Sequence, residues 1–478
     1  MKRAELVFLP SPGLSHLVST VETAKLLLDR DRDREDRLAI TVLIMKLPND
    51  ASVDSFTQKI TYSPRLRLLN LPGLNEDDPN AAPHLGIPHA FIEKQTPYVR
   101  ETISDLIKGS SSSQIAGLVL DVFCTKFIEI ARELGLPSYI FLTASVTGLG
   151  VPQPLAEMRF QRNQQLTELR NSDVELSVVS YTTPIPAKIL PAEFTRGGPA
   201  ADDFLNCFKR IWETNGIVAN TFYDLESYAI ESLMSAGKSP KIYPVGPILN
   251  QSSQSFGGDD DVKKWLDHQP ENSVVFLCFG TLGRLDDAQV REFALALENS
   301  GFRFLWSLRK PAAKGARFVS EYENFQQVLP EGFLERTEGI GKVIGWAPQM
   351  AALSHPAVGG FVSHCGWNST LESVWFGVPI ATFPLYAEQQ LNAFQLVKEL
   401  GMAEMIRLDY KIEFGGEAPP EIVGWEEIAA AIKRLMAAEG VRQKVKEMQK
   451  KARAALLEGG SSYNALNLFI EDVITSIA

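Results

Sequence analysis

Several things are scarce in this 478-residue chain, and each scarcity removes a class of answer. Cysteine occurs four times, at Cys124, Cys207, Cys278 and Cys365, with no CxxC pair and no histidine at zinc-finger spacing. That leaves no basis for a disulfide framework or a structural zinc site, and free thiols in a reducing cytosol are expected. Long apolar runs are missing too: no stretch approaches the roughly 18 residues that a membrane-spanning helix needs, and the segment from Leu466 to Ala478 is interrupted by Glu471 and Asp472. No membrane anchor is expected. The run Leu6 to Leu9 before Pro10 is too short for a secretory leader and has no cleavage pattern after it, so secretion is not expected. Positive charge is in deficit, with Lys plus Arg at 47 against Asp plus Glu at 58 and a formal net charge of −11. Duplex nucleic acid and anionic membranes would be repelled by such a surface as a whole.

What is present is an ordinary globular balance, 45% hydrophobic and 22% charged, in a chain long enough for two or three domains at roughly 150 residues each. Apolar strand patterns alternate with amphipathic helix patterns. Glu5 to Leu9 reads as a buried strand, followed by a Pro/Gly loop through Gly13 and a helix with Val18, Val21, Ala24, Leu27 and Leu28 on one face. Further strands are predicted at Leu38 to Met45, Gly117 to Val122, Ser138 to Phe141 and Ile217 to Asn220, with a helix over Lys126 to Leu134. Between Ile242 and Asp261 the composition turns to Pro, Gly, Ser and Asp, which reads as a linker. The alternation then restarts: strands at Ser273 to Phe279, Arg303 to Leu308, Phe361 to Ser363 and Ile380 to Phe383, and a helix at Ala288 to Ser300. The polar, poorly periodic stretch Ala312 to Leu329 reads as a surface loop. The fold class is therefore α/β, two doubly wound parallel sheets facing across a cleft, with ligands expected where strands run into helix N-termini.

The densest chemistry lies between Trp346 and Gln389. A strand ends at Ser363, and Gly366-Trp367-Asn368-Ser369-Thr370 opens a helix, a run rich in small donors suited to cradling a diphosphate. Trp346 offers a flat face for a base, Glu372 can accept from ribose hydroxyls, and Glu388 with Gln389 can hold sugar hydroxyls. Taken one at a time these are equally well core tryptophans and ordinary caps; it is the set that points to a nucleotide-sugar site.

Trp346-Ala-Pro-Gln349, His364-Cys-Gly366-Trp367-Asn368-Ser369 and Glu388-Gln389 together resemble the 44-residue signature box of plant secondary-product glycosyltransferases, the family-1, UDP-sugar-dependent enzymes of the GT-B fold. The resemblance extends to Phe8-Leu-Pro-Ser-Pro-Gly13 with His16, to Asp121, to Tyr243-Pro-Val-Gly-Pro247 and to Val274 through Gly280. It implies that residues 1–247 form an acceptor-binding Rossmann-like domain, 248–261 a linker, 262–455 a UDP-sugar-binding domain, and 456–478 a helix packing back on the first domain. It implies that Trp346 and Ala347 take the uracil, that Gln349 and Glu372 take the ribose, and that Thr281, His364, Asn368 and Ser369, at the helix start marked by Gly366, take the phosphates. Trp367, Glu388 and Gln389 would hold the sugar, and a Gln at the last position resembles the glucose users. The branch resembled acts on flavonoids, other phenolics and some triterpenoids.

The same resemblance assigns His16 as general base and Asp121 as its partner, and the residue chemistry agrees. A neutral imidazole can take the proton of an acceptor hydroxyl while a carboxylate fixes its tautomer. The expected reaction inverts the anomeric centre, gives a β-glucoside and uses UDP-glucose as co-substrate without a metal, the run Asp259-Asp260-Asp261 being read as a solvated linker charge. Ser15, where the family has Gly, and Phe123, Phe141, Thr143, Leu190 and Phe194 are candidates for the acceptor pocket, each equally a candidate for core. His84 and His89 fall in a loop that could line it. Thr281 and Arg284 are the other departures from the family pattern. A monomeric cytoplasmic enzyme binding a small-molecule acceptor is expected. Two rivals remain, a UDP-sugar-binding protein without turnover and a nicotinamide-dependent oxidoreductase, the latter opposed by Ser11-Pro12-Gly13 in place of G-x-G-x-x-G after the first strand.

Overall fold

A computed structural model describes the chain except residues 1, 33–35, 49, 61–62, 74–88, 110–111, 236, 238, 251–254, 257–259, 312–319, 413–420 and 478, and the side chains of 51 and 260. His84, Asp259 and the first part of the predicted 312–329 loop therefore lie outside the described residues. The chain divides into two compact units: Met1–Gln165 with Gly197–Asn250 and Ala454–Ala478, and Leu166–Arg196 with Gln251–Arg453.

The first unit is built on a seven-stranded parallel sheet. Its strands are β1 (Arg3–Leu9), β2 (Leu38–Ile44), β3 (Leu66–Asn70), β4 (Ser113–Asp121), β5 (Ser138–Leu142), β8 (Gly216–Ala219) and β9 (Lys241–Pro244), the intervening β6 (Glu175–Leu176) and β7 (Ile185–Pro186) forming a separate antiparallel pair. The order is β3-β2-β1-β4-β5-β8-β9. β1 shows why the central strands read as unbroken apolar runs: Val7 and Leu9 pack into one core, Ala4, Leu6 and Phe8 into the other. A strand covered on both faces has no side left for polar residues. The second unit repeats the plan with six parallel strands, β10 (Val274–Cys278), β11 (Arg303–Ser307), β12 (Gly341–Ile344), β13 (Val358–Ser363), β14 (Ile380–Thr382) and β15 (Ala403–Met405), ordered β12-β11-β10-β13-β14-β15.

Both sheets change direction at one place, between β1 and β4 and between β10 and β13. There the loops leaving the two strands diverge and open a crevice at the strands' C-terminal ends. Register fixes which residues meet: Leu9 lies beside Leu120, and Cys278 beside Ser363.

Three differences from the sequence reading have physical causes. The segment Leu166–Arg196 packs with the second unit although it falls within the stretch read as the first domain; Thr182 and Thr183 donate their N–H groups to Glu399 at 2.8 and 3.0 Å. Asp261 is a solvated charge as read, but it stands in a helix over Asp260–Asp267 and not in a linker, its exposed carboxylate paired with Lys342. The end of the predicted surface loop is packed, with Val328 and Leu329 in the core and a 3-10 turn over Phe325–Gln327.

The last helix, Ser461–Thr475, buries Leu466, Phe469, Ile470 and Val473 against the first sheet, and the Phe469 ring meets Tyr139 and Tyr243 edge-on, each at 5.2 Å between ring centres. Asp472 receives the Lys241 ammonium and the Tyr243 hydroxyl, both at 2.6 Å. Truncation of a fully buried aromatic leaves a cavity and costs about 3–5 kcal/mol. In urea titrations Phe469→Ala is expected to lower the unfolding free energy by that order, whereas an exposed change on the same helix, Leu468→Ala, is expected to leave it within about 0.5 kcal/mol.

Candidate active site

In the first unit the residues after β1 and β4 converge. His16 stands in the first turn of the helix Leu14–Arg32, not in the loop before it, and its side chain is about one quarter exposed, at 27%. Its Nδ1 lies 2.7 Å from Oδ2 of Asp121, the last residue of β4. Asp121 is buried, and its other oxygen accepts from the Ser11 hydroxyl at 2.6 Å and the Phe123 N–H at 3.1 Å, so the carboxylate also caps the 3-10 turn Val122–Phe127. Burial alone would raise this carboxyl, but His16 and the Ser11 and Phe123 donors hold it below its ordinary range. It stays ionised at neutral pH and orients a ring whose Nε2 is turned away from it.

Beside the pair stands an aromatic wall. The Phe123 ring meets His16 edge-on at 5.9 Å between centres, stacks with Phe204 at 6.1 Å and meets Phe208 and His89 edge-on at 6.3 and 6.4 Å. Burial pulls the His89 pKa below its ordinary value against the opposing charge of Asp203. The sequence pointed to Phe123 and left His89 open. It missed Phe204 and Phe208, which lie on the helix Pro199–Ile211 and carry no signal separating wall from core.

The second unit assembles its residues from three loops. After β13 the chain passes through Cys365 with φ +62° and Gly366 into the helix Trp367–Phe376, whose N-terminus carries no side-chain cap among the described residues. The first N–H groups are thus left for an anion. His364 is packed between two glycines: a Cβ on Gly280, after β10, would come within 2.5 Å of its Nε2 and one on Gly366 within 2.6 Å. Its Nδ1 is buried and has no partner among the described residues. Burial lowers its pKa to about 4 despite a hydrogen bond to the Cys278 backbone, so His364 is neutral near pH 7 and offers a hydrogen bond, not a charge. The loop is tied down by Asn392, whose amide donates to Cys365 O at 2.9 Å.

Gln349, Ser369 and Glu372 form one cluster: the Gln349 amide donates to Ser369 Oγ at 2.8 Å and to Glu372 Oε2 at 2.6 Å. Trp346 is 54% exposed, with the Arg309 guanidinium 5.0 Å from its ring centre and its backbone N–H donating to Glu321. An indole left this open is a ready stacking platform. Ala347 beside it is buried, while Asn368 and Thr281 are exposed.

The remaining candidates are placed as follows. Trp367 has a buried indole, so what it presents at the helix start is its backbone. Gln389 is the first residue of the helix Gln389–Phe394 with Glu388 as its cap, and its carbonyl oxygen accepts from Leu385 N and Tyr386 N at 2.8 and 3.1 Å, leaving its NH2 group as a donor. Arg284 is half-buried and its charge acts on Tyr386. Phe141 is core, packed on the sheet face that carries Tyr139 and Phe469. Leu190 and Phe194 are buried within the second unit, not in the unit that carries His16. Thr143 is half-buried, and Ser145 is used as the cap of the turn Val146–Leu149. Ser15 is exposed next to His16.

Burial pushes the Glu372 carboxyl up to about 7, the Gln349 hydrogen bond opposing it only in part. A raised acid keeps its proton in the folded chain after the unfolded chain has released it. Its contribution to stability is therefore present below the ordinary carboxyl range and is lost as pH rises towards 7. Glu372→Gln, which never ionises, is expected to melt at a higher temperature than the wild type at pH 8, the gap closing towards pH 5; equal melting temperatures at pH 8 would remove the argument.

The comparisons with known proteins agree over nearly the whole chain. Residues 252–410 match the family profile described as UDP-glucoronosyl and UDP-glucosyl transferase. A putative UDP-glucose flavonoid 3-O-glucosyltransferase 3 of Fragaria ananassa is 49% identical over 99% of this chain and 100% of its own. A crystal structure of a UGT transferase from Siraitia grosvenorii in complex with UDP superposes with a TM-score of 0.87 at 44% identity, covering 99% of this chain and 100% of the other. A Medicago truncatula UGT complexed with UDP-glucose gives 0.84 at 38%, covering 99% and 98%. Two parallel α/β sheets, each with its residues gathered at the point where strand order reverses, and a full-length relative at this identity make the chain a glycosyltransferase of the UDP-glucuronosyl and UDP-glucosyl transferase family, with the GT-B fold.

Proposed function

We propose that this enzyme transfers glucose from UDP-glucose to a hydroxyl of a flavonoid or related phenolic and inverts the anomeric centre. The observation that carries the proposal is the 2.7 Å contact between His16 Nδ1 and the buried Asp121 carboxylate, in a chain whose relative is named for flavonoid glucosylation. The acceptor O–H gives its proton to His16 Nε2 as its oxygen bonds to the sugar's C1. The C1–O bond to the diphosphate breaks, and UDP leaves with the bonding electrons from the opposite face. Asp121 stabilises the imidazolium so formed.

On the donor side Trp346 and Ala347 take the uracil, and Gln349 and Glu372 the ribose. The uncapped helix start at Gly366–Ser369 takes the diphosphate, with His364 and Thr281. Neutral N–H donors aimed at the leaving oxygen can stabilise the growing charge without a metal. Among the described residues no group of three His, Cys, Asp or Glu could hold a metal ion, and no helix is long and apolar enough to cross a membrane. A cytoplasmic location and a monomer complete the proposal.

The test is UDP release from UDP-glucose with pooled flavonoids, simple phenols and triterpenoids in excess chelator. Acceptor-dependent release is expected from the wild type, and His16→Ala should lose a factor of about 10²–10⁴ in kcat while still binding UDP. UDP binding without release to any acceptor would leave a binding protein instead. Gly366→Ala is expected to weaken UDP binding by at least about tenfold in calorimetry, because the methyl must displace His364 from the helix start.

A further inference from the structure

Resting on the assignment of His16 as base, we propose that Ser11 is a positioning residue of the catalytic pair, fixing the plane of the Asp121 carboxylate and drawing off part of its charge. Ser11 is nearly fully buried in the loop between β1 and the His16 helix, and its hydroxyl lies 2.6 Å from Asp121 Oδ1. The loop and the helix turn that follows it thus grip both oxygens of a single carboxylate, Ser11 on Oδ1 and His16 on Oδ2. The Phe123 N–H is the second donor to Oδ1. With two donors on that oxygen, the side chain cannot turn about its last bond without breaking both, and Oδ2 is held towards the imidazole.

The hydroxyl also sets how strongly the pair holds a proton. A carboxylate that shares its charge with a hydroxyl pulls less on the imidazolium than one whose charge falls on the ring alone. The other titratable groups around the pair are few among the described residues. The Cys124 thiol lies 3.8 Å behind Ser11 and is kept protonated by burial, with Cys207 next to it, bonded to Thr125 at 3.0 Å. His89 stands beyond the Phe123 ring, with Asp203 acting on it. None of these replaces the hydroxyl on Oδ1.

The experiment is the pH profile of kcat/KM for a phenolic acceptor in the full-length enzyme, for wild type, Ser11→Ala, Ser11→Cys, Ser11→Thr and His16→Ala, with UDP affinity measured for each. Ser11→Ala is expected to bind UDP as the wild type does and to keep the acceptor KM. Its kcat should fall about 3- to 30-fold near pH 6.5 and its acid limb should move up by roughly half a pH unit, so that the loss shrinks above pH 8. Ser11→Cys, of similar volume with a weaker donor, should shift in the same direction by less, and Ser11→Thr should restore most of the wild-type profile. A Ser11→Ala or Ser11→Cys profile that superposes on the wild type, directly or after scaling by one factor, overturns the inference. Should His16→Ala match the wild type, the base assignment itself falls; should His16→Ala collapse while the Ser11 profiles superpose, only the role of Ser11 falls.

Discussion

A parallel sheet covered on both faces has one constraint that the rest of this protein follows from: every strand delivers its loop to the same edge. Loops at that edge run into helix N-termini, and only where neighbouring strands send their helices to opposite faces does a crevice open between them. Each unit has one such place. In the first it is the β1–β4 pair, and Leu9 beside Leu120 carries Ser11 and His16 to Asp121. In the second it is the β10–β13 pair, and Cys278 beside Ser363 carries Gly280 to His364. Ser11, Asp121, Gly280 and His364 each stand one or two residues beyond the last ladder pair, and His16 follows in the first turn of the next helix.

This constraint also decides how much could be read from the sequence. All nine strands predicted exist with ends shifted by a few residues, because interior strands must be apolar throughout and show it. Besides the two-residue pair β6 and β7, four strands went unread among the described residues, β3, β9, β12 and β15, and these are the edges of the two parallel sheets. An edge strand pairs on one side only and tolerates polar residues: β3 alternates buried Leu66 with exposed Arg67 and ends in exposed Asn70, β12 opens with Gly341-Lys342, and β9 starts at Lys241 and stops at Pro244. The segment 166–196 escaped for a different reason. Chain order places it in the first unit, and no local pattern reports that Glu399, over two hundred residues later, holds its backbone.

The ionisable groups at the two half-sites show burial used in three ways. Asp121 is buried but kept charged by three hydrogen-bonding partners; Glu372 has one donor on it and is pushed towards neutrality; His364 is left neutral by the same desolvation. The count of partners, not depth, separates them. A carboxylate meant to stabilise a transient imidazolium must be ionised before the proton arrives, so its partners have to be built in. A group awaiting a ligand's hydroxyls can lack partners until the ligand supplies them, and the unpaired Nδ1 of His364 fits that pattern.

The unequal legibility of the two halves follows from what each recognises with. The second unit works through backbone and small residues, and backbone geometry is demanding: Gly280 takes a φ of +79° and, like Gly366, has no room for a Cβ against His364. Such demands leave few residue choices, so the stretch stands out as a motif. The wall beside His16 in the first unit is made of apolar rings. Phe123 meets the His16 ring and packs with Phe204 and Phe208, yet Phe141, on a neighbouring strand, is pure core. Composition and periodicity are the same for a ring that packs on protein and for one that waits for a flat ligand. Only the register that sets one face of β5 against the last helix, and the turn after β4 beside His16, tells them apart. If the proposed roles hold, a wall made of ordinary core residues could be reshaped by exchanging one ring for another without touching the His16 and Asp121 pair or the glycine-lined helix start.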